Sequence, residues 1–282
     1  MRSTYLATAH RSDTSQASGI RRSNAPSSIA LSLATVLVAA PVVAQDSGQS
    51  LDQAASDPTA SLMSFQFQDF YSFRLHNLDN STINRLQFRA AIPFQLGGTS
   101  NIARLTLPYV TDSPGAEGLA DATIFNLTTF TESWGRWGLG VVALLPIGES
   151  GVSSEKWAAG PALGFTVQAD EILWGLFNQN LFSFAGDGSM PDVNVSTLQP
   201  IFNIGLGDGW STGLSEMVFT YDWDGGEFVT LPLGVKLSKL TRFGKTPVQF
   251  TGSYEHDFYD EGVGPSDTVS FTVKVLLPTG GR

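Results

Sequence analysis

The sequence predicts an all-β protein, a transmembrane antiparallel up-and-down β-barrel of about twelve strands that follows an N-terminal signal peptide. Three observations predict this fold class. Bulky apolar residues alternate with small or polar ones along most of the chain, the connections between these runs alternate in length, and the tryptophans lie near the ends of the runs. A side-chain period of two is typical of a strand, because successive side chains point to opposite faces.

The clearest pair of runs spans residues 137–145 and 157–165. In the first run, Trp137 and Leu139 begin a bulky face, whereas Gly138 and Gly140 begin a face with almost no side chains. The second run repeats this division. Small residues on one face suit the crowded interior of a closed, curved sheet.

Runs of the same kind recur along the chain, and each is about as long as the ~9–11 residues that a tilted strand needs to cross a hydrocarbon layer. No run has a convincing helical period, so the βαβ alternation of a parallel sheet is not indicated. Alternation alone does not tell a soluble sandwich, whose polar face is outside, from a membrane barrel, whose polar face surrounds water. The predicted strands lie at about 62–75, 85–94, 103–109, 122–130, 137–145, 157–165, 172–184, 198–206, 210–223, 229–237, 248–256 and 268–277.

The lengths of the connections favour the membrane barrel. Counted from the first hairpin, most odd-numbered connections are long and acidic, and most even-numbered ones are short; a brief fifth connection and a longer one at 238–245 are the expected exceptions. Tight turns at one end and long loops at the other are typical of outer-membrane barrels, with the turns in the periplasm. The odd-numbered connections are predicted at 76–81, 111–120, 147–155, 185–194, 224–226 and 257–266.

All six tryptophans lie near the predicted strand ends. A soluble core usually places some tryptophans centrally, whereas membrane barrels concentrate aromatic residues in girdles at the two interfaces. The predicted aromatic girdle consists of Trp134, Trp137, Trp157, Trp174, Trp210 and Trp223.

The first 44 residues differ from the rest of the chain. They carry four arginines and one aspartate, then an apolar run from Ile29 to Val43 and small residues before Gln45. This is the pattern of a cleavable secretory signal, and the apolar run is short for a spanning helix. We therefore predict a signal peptide at 1–44, a flexible lead-in at 45–60 and a barrel at 61–282, in the outer membrane of a Gram-negative bacterium. The absence of cysteine excludes disulfides and thiolate metal sites.

Several short motifs, taken in order, resemble the outer-membrane transporter family named for the MetA pathway of phenol degradation. The resemblance implies an outer-membrane barrel for uptake of small, aromatic molecules. This chain differs from the family at Ile147, where threonine is usual, and its final residues lack the terminal aromatic residue common in such barrels. The motifs are Gly118-Leu119-Ala120-Asp121, Trp137-Gly138-Leu139-Gly140, Pro146-Ile147-Gly148, Lys156-Trp157-Ala158-Ala159-Gly160-Pro161, Gln199-Pro200, Asp208-Gly209-Trp210, Tyr221-Asp222-Trp223, Leu231-Pro232-Leu233-Gly234 and Gly244-Lys245-Thr246-Pro247.

The predicted function is passive uptake of small solutes, aromatic or anionic compounds being the expected class, through a channel that is not an enzyme. Two alternatives stay open: a barrel enzyme acting on lipid, and a secreted soluble β-sandwich that binds a ligand. Beyond the signal the histidines are His76 and His256, and neither has a serine two residues away on its strand, so catalysis is disfavoured. The turn at 222–227 has carboxylates that could hold Ca²⁺, but Asp-Gly-Gly is an ordinary hairpin signal. We predict no cofactor and no metal.

The candidate solute pathway is defined by basic residues in mid-strand. Arg74 precedes them on the first strand, so one wall of the lumen is predicted to be basic. Glu216, Glu255 and Asp69 are the acidic residues that would neutralise it, and whether the basic residues contact solute or only fill the lumen stays open. The predicted lumen-lining residues are Arg85, Arg89, Arg104, Lys236 and Lys274.

The expected partners are outer-membrane lipid, lipopolysaccharide and a small solute. Nucleic acid is excluded because the formal net charge is −10. The acidic outer loops are expected to hold divalent cations that bridge lipopolysaccharide. The residues predicted to face lipid are Leu105, Leu139, Leu163, Leu231 and Val273.

Overall fold

A computed structural model describes residues 49–259 and 262–277 of the chain. Its strands form one closed antiparallel sheet, in which the last strand pairs with the first. The predicted signal peptide lies outside the described residues. The elements are α1 (Leu51–Ser56), β1 (Met63–Leu75), β2 (Ile83–Leu96), β3 (Thr99–Asp112), β4 (Gly118–Leu119), β5 (Ala122–Glu132), β6 (Gly135–Leu145), β7 (Lys156–Ala169), β8 (Ile172–Gly186), β9 (Asn194–Gly207), β10 (Trp210–Leu214), β11 (Phe219–Asp222), β12 (Glu227–Thr230), β13 (Pro232–Phe243), β14 (Thr246–Asp257) and β15 (Pro265–Leu277).

These segments form twelve staves of a barrel. β10 and β11 follow each other against β9, so together they make one stave, and β12 with β13 makes the next. The two-residue β4 pairs only with the outer end of β3. The predicted fold class, an antiparallel barrel of about twelve strands, is therefore confirmed.

The two ends of the barrel differ as the connection lengths predict. At one end, five turns of two residues each join neighbouring strands. Gly97 and Gly98 both have positive φ (57° and 81°), as do Asp208 and Gly209 (51° and 76°), and such turns match the twist of the strands they join. The longer loops lie at the opposite end.

The long connection predicted at 238–245 is wrong. β13 continues to Phe243, and the turn is only Gly244 and Lys245. Polar residues near the end of β13 interrupt the apolar alternation, but the pairing of Phe243 with Thr246 shows that the backbone ladder continues. The apolar alternation therefore stops several residues before the hydrogen-bonded strand ends, and the predicted strand was too short for this reason.

The outer surface of the barrel is apolar. Leu139 and Leu163, both predicted to face lipid, are 51% and 54% exposed, and Leu105, Val273 and Leu231 share that outward side. Such a continuous exposed apolar surface suits hydrocarbon rather than water. Among the described residues, no helix is long and apolar enough to cross a membrane.

One half of the lumen is filled with apolar side chains. The inward faces of β6 and β7 are small, and a Cβ at Gly164 would overlap the ring of Phe177 from β8. The space that these glycines leave is occupied by larger residues of neighbouring strands. The resulting lumen cluster consists of Phe125, Leu127, Val142, Ala162 and Phe177, with Leu181 and Ile201 packed against it.

Residues 49–62, here called the luminal segment, lie inside the turn end of the barrel. Asp57 forms an ion pair with Arg136 of β6 at 2.8 Å, and Thr59 bonds Thr166 of β7 at 2.8 Å. On the opposite wall, Lys274 Nζ donates to the carbonyl oxygen of Ala55 at 2.6 Å. The lead-in expected to be flexible thus contains α1 and is bonded to both walls over its described part. These bonding partners are distant in sequence. The polar composition of the segment itself does not show them, and it therefore predicted flexibility.

Candidate solute pathway

An ion pair stands at the centre of the lumen. Arg89 Nη1 of β2 lies 2.7 Å from Glu216 Oε2, and Gln68 Nε2 of β1 donates to the same oxygen at 3.3 Å. Lys236 of β13 and Lys274 of β15 line the same cavity as this pair. Four strands thus bring their inward polar residues to one place, because every second residue of each strand faces the lumen.

Glu216 reaches the lumen because its stave is interrupted. β10 ends at Leu214 and β11 begins at Phe219, so Glu216 lies between two strand segments of the ninth stave. The flanking residues remain tied to β13, where Ser215 N donates to Gly234 O at 3.1 Å. From the sequence, Glu216 is predicted only as a neutralising residue, since an interruption of backbone pairing leaves no local pattern.

Arg104 of β3 joins the charged centre to the apolar cluster. Its guanidinium lies 4.0 Å from the centroid of the Phe125 ring and 5.6 Å from that of Phe177. A cation placed over an aromatic ring is stabilised by the negative face of the ring, and more so when it is desolvated. Neither ring is predicted from the sequence, because alternation within one strand does not show which inward residues meet across strands.

A vestibule of about 460 Å³ lies above the ion pair, at the loop end of the barrel. Arg89 and Glu216 form its floor, and Arg85 lines its wall with its guanidinium 4.6 Å from the Phe70 ring. Glu255 lines the same space. Below the ion pair, a cavity of about 80 Å³ is closed towards the turn end by the luminal segment.

The structure places all five predicted lumen residues on the inward side. Arg89, Arg104, Lys236 and Lys274 line the inner cavity, and Arg85 lines the vestibule. Two associated expectations are wrong. Arg74 lies at the outer end of β1 with a 69% exposed side chain paired to Asp267, because β1 is irregular between Ser72 and Leu75.

Asp69 is also outside the lumen. It stands opposite Leu86 in the register of β1 and β2, on the outward face, and accepts a hydrogen bond from Asn84 at 2.6 Å. The alternation of β1 assigns it to this face, which it shares with Phe67 and Tyr71. Asp69 therefore does not neutralise the basic lumen wall.

The tryptophans occupy both ends of the strands. Trp134 lies in the turn between β5 and β6, and Trp210 begins β10 with Lys239 Nζ 4.9 Å from its ring centroid. At the loop end of the barrel, Trp157 is the second residue of β7 and Trp223 directly follows β11. Trp137 and Trp174 are each the third residue of a strand at the turn end.

The loop end carries ionised carboxylates. A hydrogen bond from Lys156, at 2.9 Å, lowers the pKa of Asp192 below its usual range. Hydrogen bonds from Ser189 lower the pKa of Asp187 in the same loop. Both carboxylates are therefore charged at neutral pH.

The residues considered for catalysis and for Ca²⁺ have other partners. His256 Nδ1 lies 3.0 Å from Asp267 and its ring packs edge-on against Phe258, whereas His76 Nε2 contacts the carbonyl of Asp257. Both carboxylate oxygens of Asp224 accept a hydrogen bond from Asn194 Nδ2. Across residues 49–259 and 262–277, no group of three or more His, Cys, Asp or Glu side chains is placed to hold a metal ion.

Comparison with solved structures supports the class of fold. The chain is similar to an outer-membrane channel from Pseudomonas putida F1, with a TM-score of 0.58 and 12% identity over 77% of this chain and 94% of that one. It is more distantly similar to outer membrane phospholipase A from Escherichia coli, with a TM-score of 0.41 and 11% identity over 76% of this chain and 92% of that one. No protein-family model and no curated protein matches the chain. The fold is that of an outer-membrane β-barrel; the weaker likeness carries no argument about activity.

Proposed function

We propose that this protein is an outer-membrane channel for passive uptake of small solutes, present here in a closed form. The observation that carries the proposal is the order of spaces along the lumen. A vestibule of about 460 Å³ leads to the Arg89–Glu216 pair, and a cavity of about 80 Å³ lies beyond it. The luminal segment then closes the turn end, so it acts as the plug.

The preferred solutes of this channel are anions. Four cations, Arg89, Arg104, Lys236 and Lys274, surround Glu216 at the narrow part of the lumen, and Arg85 adds a fifth above it. Charged side chains that line a narrow pore select ions of opposite sign. The acidic outer loops do not reverse this preference, because exposed charges are screened within about 8 Å at physiological salt.

The resemblance to the transporters named for the MetA pathway belongs to this proposal. One of its motif residues, Asp121, accepts hydrogen bonds from Ser153 at 2.6 Å and from the backbone N–H of Ser154 at 2.7 Å. Asp121 thereby ties the loop after β6 to the connection before β5. This motif residue thus helps to shape the outer mouth of the barrel, where a solute enters. Lipopolysaccharide around that mouth is the proposed lipid partner.

A lipid-cleaving barrel is the less favoured alternative. Such an enzyme needs a nucleophile within hydrogen-bond reach of a base. His256 Nδ1 contacts the carboxylate of Asp267, and its ring packs against that of Phe258. Neither neighbour is a nucleophile that the histidine could activate. The charged side chains that line the inner cavity are Arg89, Arg104, Lys236, Lys274, Glu216 and Asp57, a set without a histidine base.

The channel is tested by planar-bilayer recording of the full protein and of a variant that lacks residues 49–60. We expect small or rare conductance from the full protein and a several-fold larger conductance from the deletion, because the plug is absent. A gel shift on boiling, which reports a closed barrel, controls for folding of both proteins. A folded deletion variant without conductance would refute the proposal.

A further inference from the structure

We infer that the inner cavity is a binding site for a short-chain carboxylate, and that Glu216 is its internal counter-ion, which an entering carboxylate displaces from Arg89. The inference deepens the proposed channel function and rests on it for the route of entry. It concerns binding, which is measured separately from conduction.

Positive charge is in excess at this cavity. The barrel wall contributes Arg89, Arg104, Lys236 and Lys274, and its carboxylate is Glu216. The other carboxylate at the cavity, Asp57 of the luminal segment, is already paired with Arg136 at 2.8 Å. One carboxylate among four cations leaves the wall able to accept a further anion.

Buried hydrogen-bond donors also point to a ligand. Arg89 Nε and Arg104 Nε are shielded from solvent and have no hydrogen-bond partner within the described part of the chain. Buried polar groups in native proteins are nearly always paired. Two cavity-lining guanidinium groups with an unused donor each therefore leave hydrogen-bonding capacity for an acceptor, although Gln66 Oε1 on the same lining is an acceptor that is unpaired among the described residues. A carboxylate is acceptor-only and offers two oxygens, which matches a guanidinium.

The size and lining of the cavity define the rest of the ligand. Its volume is about 80 Å³, roughly half of the ~150 Å³ cavity that holds benzene in another protein. An aromatic ring therefore does not fit while the luminal segment is in place. Ile102, Ile201 and Leu276 line the cavity beside the cations and would contact a short alkyl chain.

Glu216 is placed to exchange with such a ligand. It lines both the vestibule and the inner cavity, and its side chain is 33% exposed. It lies between β10 and β11, outside both strand segments, and its neighbours Ser215 and Met217 are bonded to Gly234 of β13. A carboxylate that arrives from the vestibule meets the Arg89–Glu216 pair first, and replacing one carboxylate by another keeps Arg89 paired.

Saturation-transfer NMR on the full protein in deuterated micelles tests the site, with propionate as ligand and propionamide as its neutral analogue of similar shape. We expect propionate to bind at least about tenfold more tightly than propionamide. Arg104→Gln and Lys274→Gln should each weaken propionate by about tenfold, and Glu216→Gln should tighten it several-fold by removing the competing carboxylate. Lys239→Gln, which removes a cation on the outward face beside Trp210, is the matched control and should change nothing.

Each of these results would overturn the inference: equal binding of propionate and propionamide, weaker propionate binding in Glu216→Gln, or benzoate binding to the intact protein as tightly as propionate. The gel shift on boiling verifies folding, and if Arg104→Gln fails to fold, Lys274→Gln carries the same test. Conductance without propionate binding would refute the site and leave the channel standing. Propionate binding to the full protein, with no conductance from the plug deletion, would refute the channel and leave the binding site standing.

Discussion

The two halves of the lumen share one backbone architecture and differ in what fills them. The inward faces of β5 to β9 carry the apolar cluster around Phe125, Leu127 and Phe177, whereas β2, β13 and β15 bring cations around Glu216. The apolar half is packed closely enough that its glycines have no room for a methyl group. The basic half retains cavities, because like charges do not pack against one another and need an anion or water between them.

In the proposed channel, solute passes along the charged wall. The closely packed wall supplies rigidity and narrows the lumen. Arg104 stands at the boundary, because its guanidinium lies over an aromatic ring of the apolar half and the residue also lines the inner cavity. Substitutions in the apolar half should therefore change stability, and substitutions in the basic half should change selectivity.

The largest effect is expected from Gly140→Val in the apolar half. A Cβ at Gly140 would overlap the backbone carbonyl of Asn126 on β5, which no side-chain rotation relieves. We expect loss of the folded barrel, a change beyond the ~4–5 kcal/mol that marks exceptional substitutions. The gel shift on boiling measures it. Gly252→Val is the control, since nothing lies within 4 Å of a Cβ there; an unfolded control would contradict this account of the two glycines.

Phe177→Ala should have the next largest effect. Phe177 is 1% exposed inside the lumen, and its removal leaves a cavity and takes one ring from Arg104. The expected loss in free energy of unfolding is about 3–5 kcal/mol, measured by urea denaturation in micelles. Phe182→Ala on the same strand removes a 42% exposed ring and should cost clearly less. Equal costs would mean that the apolar cluster does not stabilise the barrel.

Leu163→Arg tests the outward side of the same half. A charge at a lipid-facing position near mid-strand should cost about 2–4 kcal/mol in free energy of folding into a bilayer, and one near an interface only ~0–1. Leu96, 65% exposed and next to the turn at 97–98, provides the interface control as Leu96→Arg. If both arginines were tolerated equally, the outward face would not be in hydrocarbon.

Arg89→Gln should change stability least and selectivity most. Lys236 and Lys274 remain near Glu216, so the carboxylate keeps cationic neighbours, but the narrow part of the lumen loses one positive charge. In the variant that also lacks residues 49–60, the reversal potential under a salt gradient should shift towards lower anion preference. Lys239→Gln in the same background is the control. A reversal potential unchanged by Arg89→Gln, or cation selectivity from the outset, would contradict the anionic pathway.

Most of the barrel could be predicted from the sequence, because each strand records its own two faces. Alternation placed Leu139 outward and Gly138 inward, and the structure agrees. The same local signal failed where the strand was irregular or its pattern ended early. Arg74 left the lumen at an irregular point of β1, and the end of β13 was predicted too soon.

What the sequence alone determined is therefore the number of strands, the face of nearly every residue and the end of the barrel that carries long loops, since these follow from the period of two and from connection length. The tertiary structure alone decided which inward residues meet. Lys274 contacts Ala55, 219 residues away, and Arg104 stacks on rings from β5 and β8. Glu216 enters the centre through an interruption between β10 and β11. These contacts depend on barrel closure and strand stagger, which act across the whole sheet and leave no trace in any single strand.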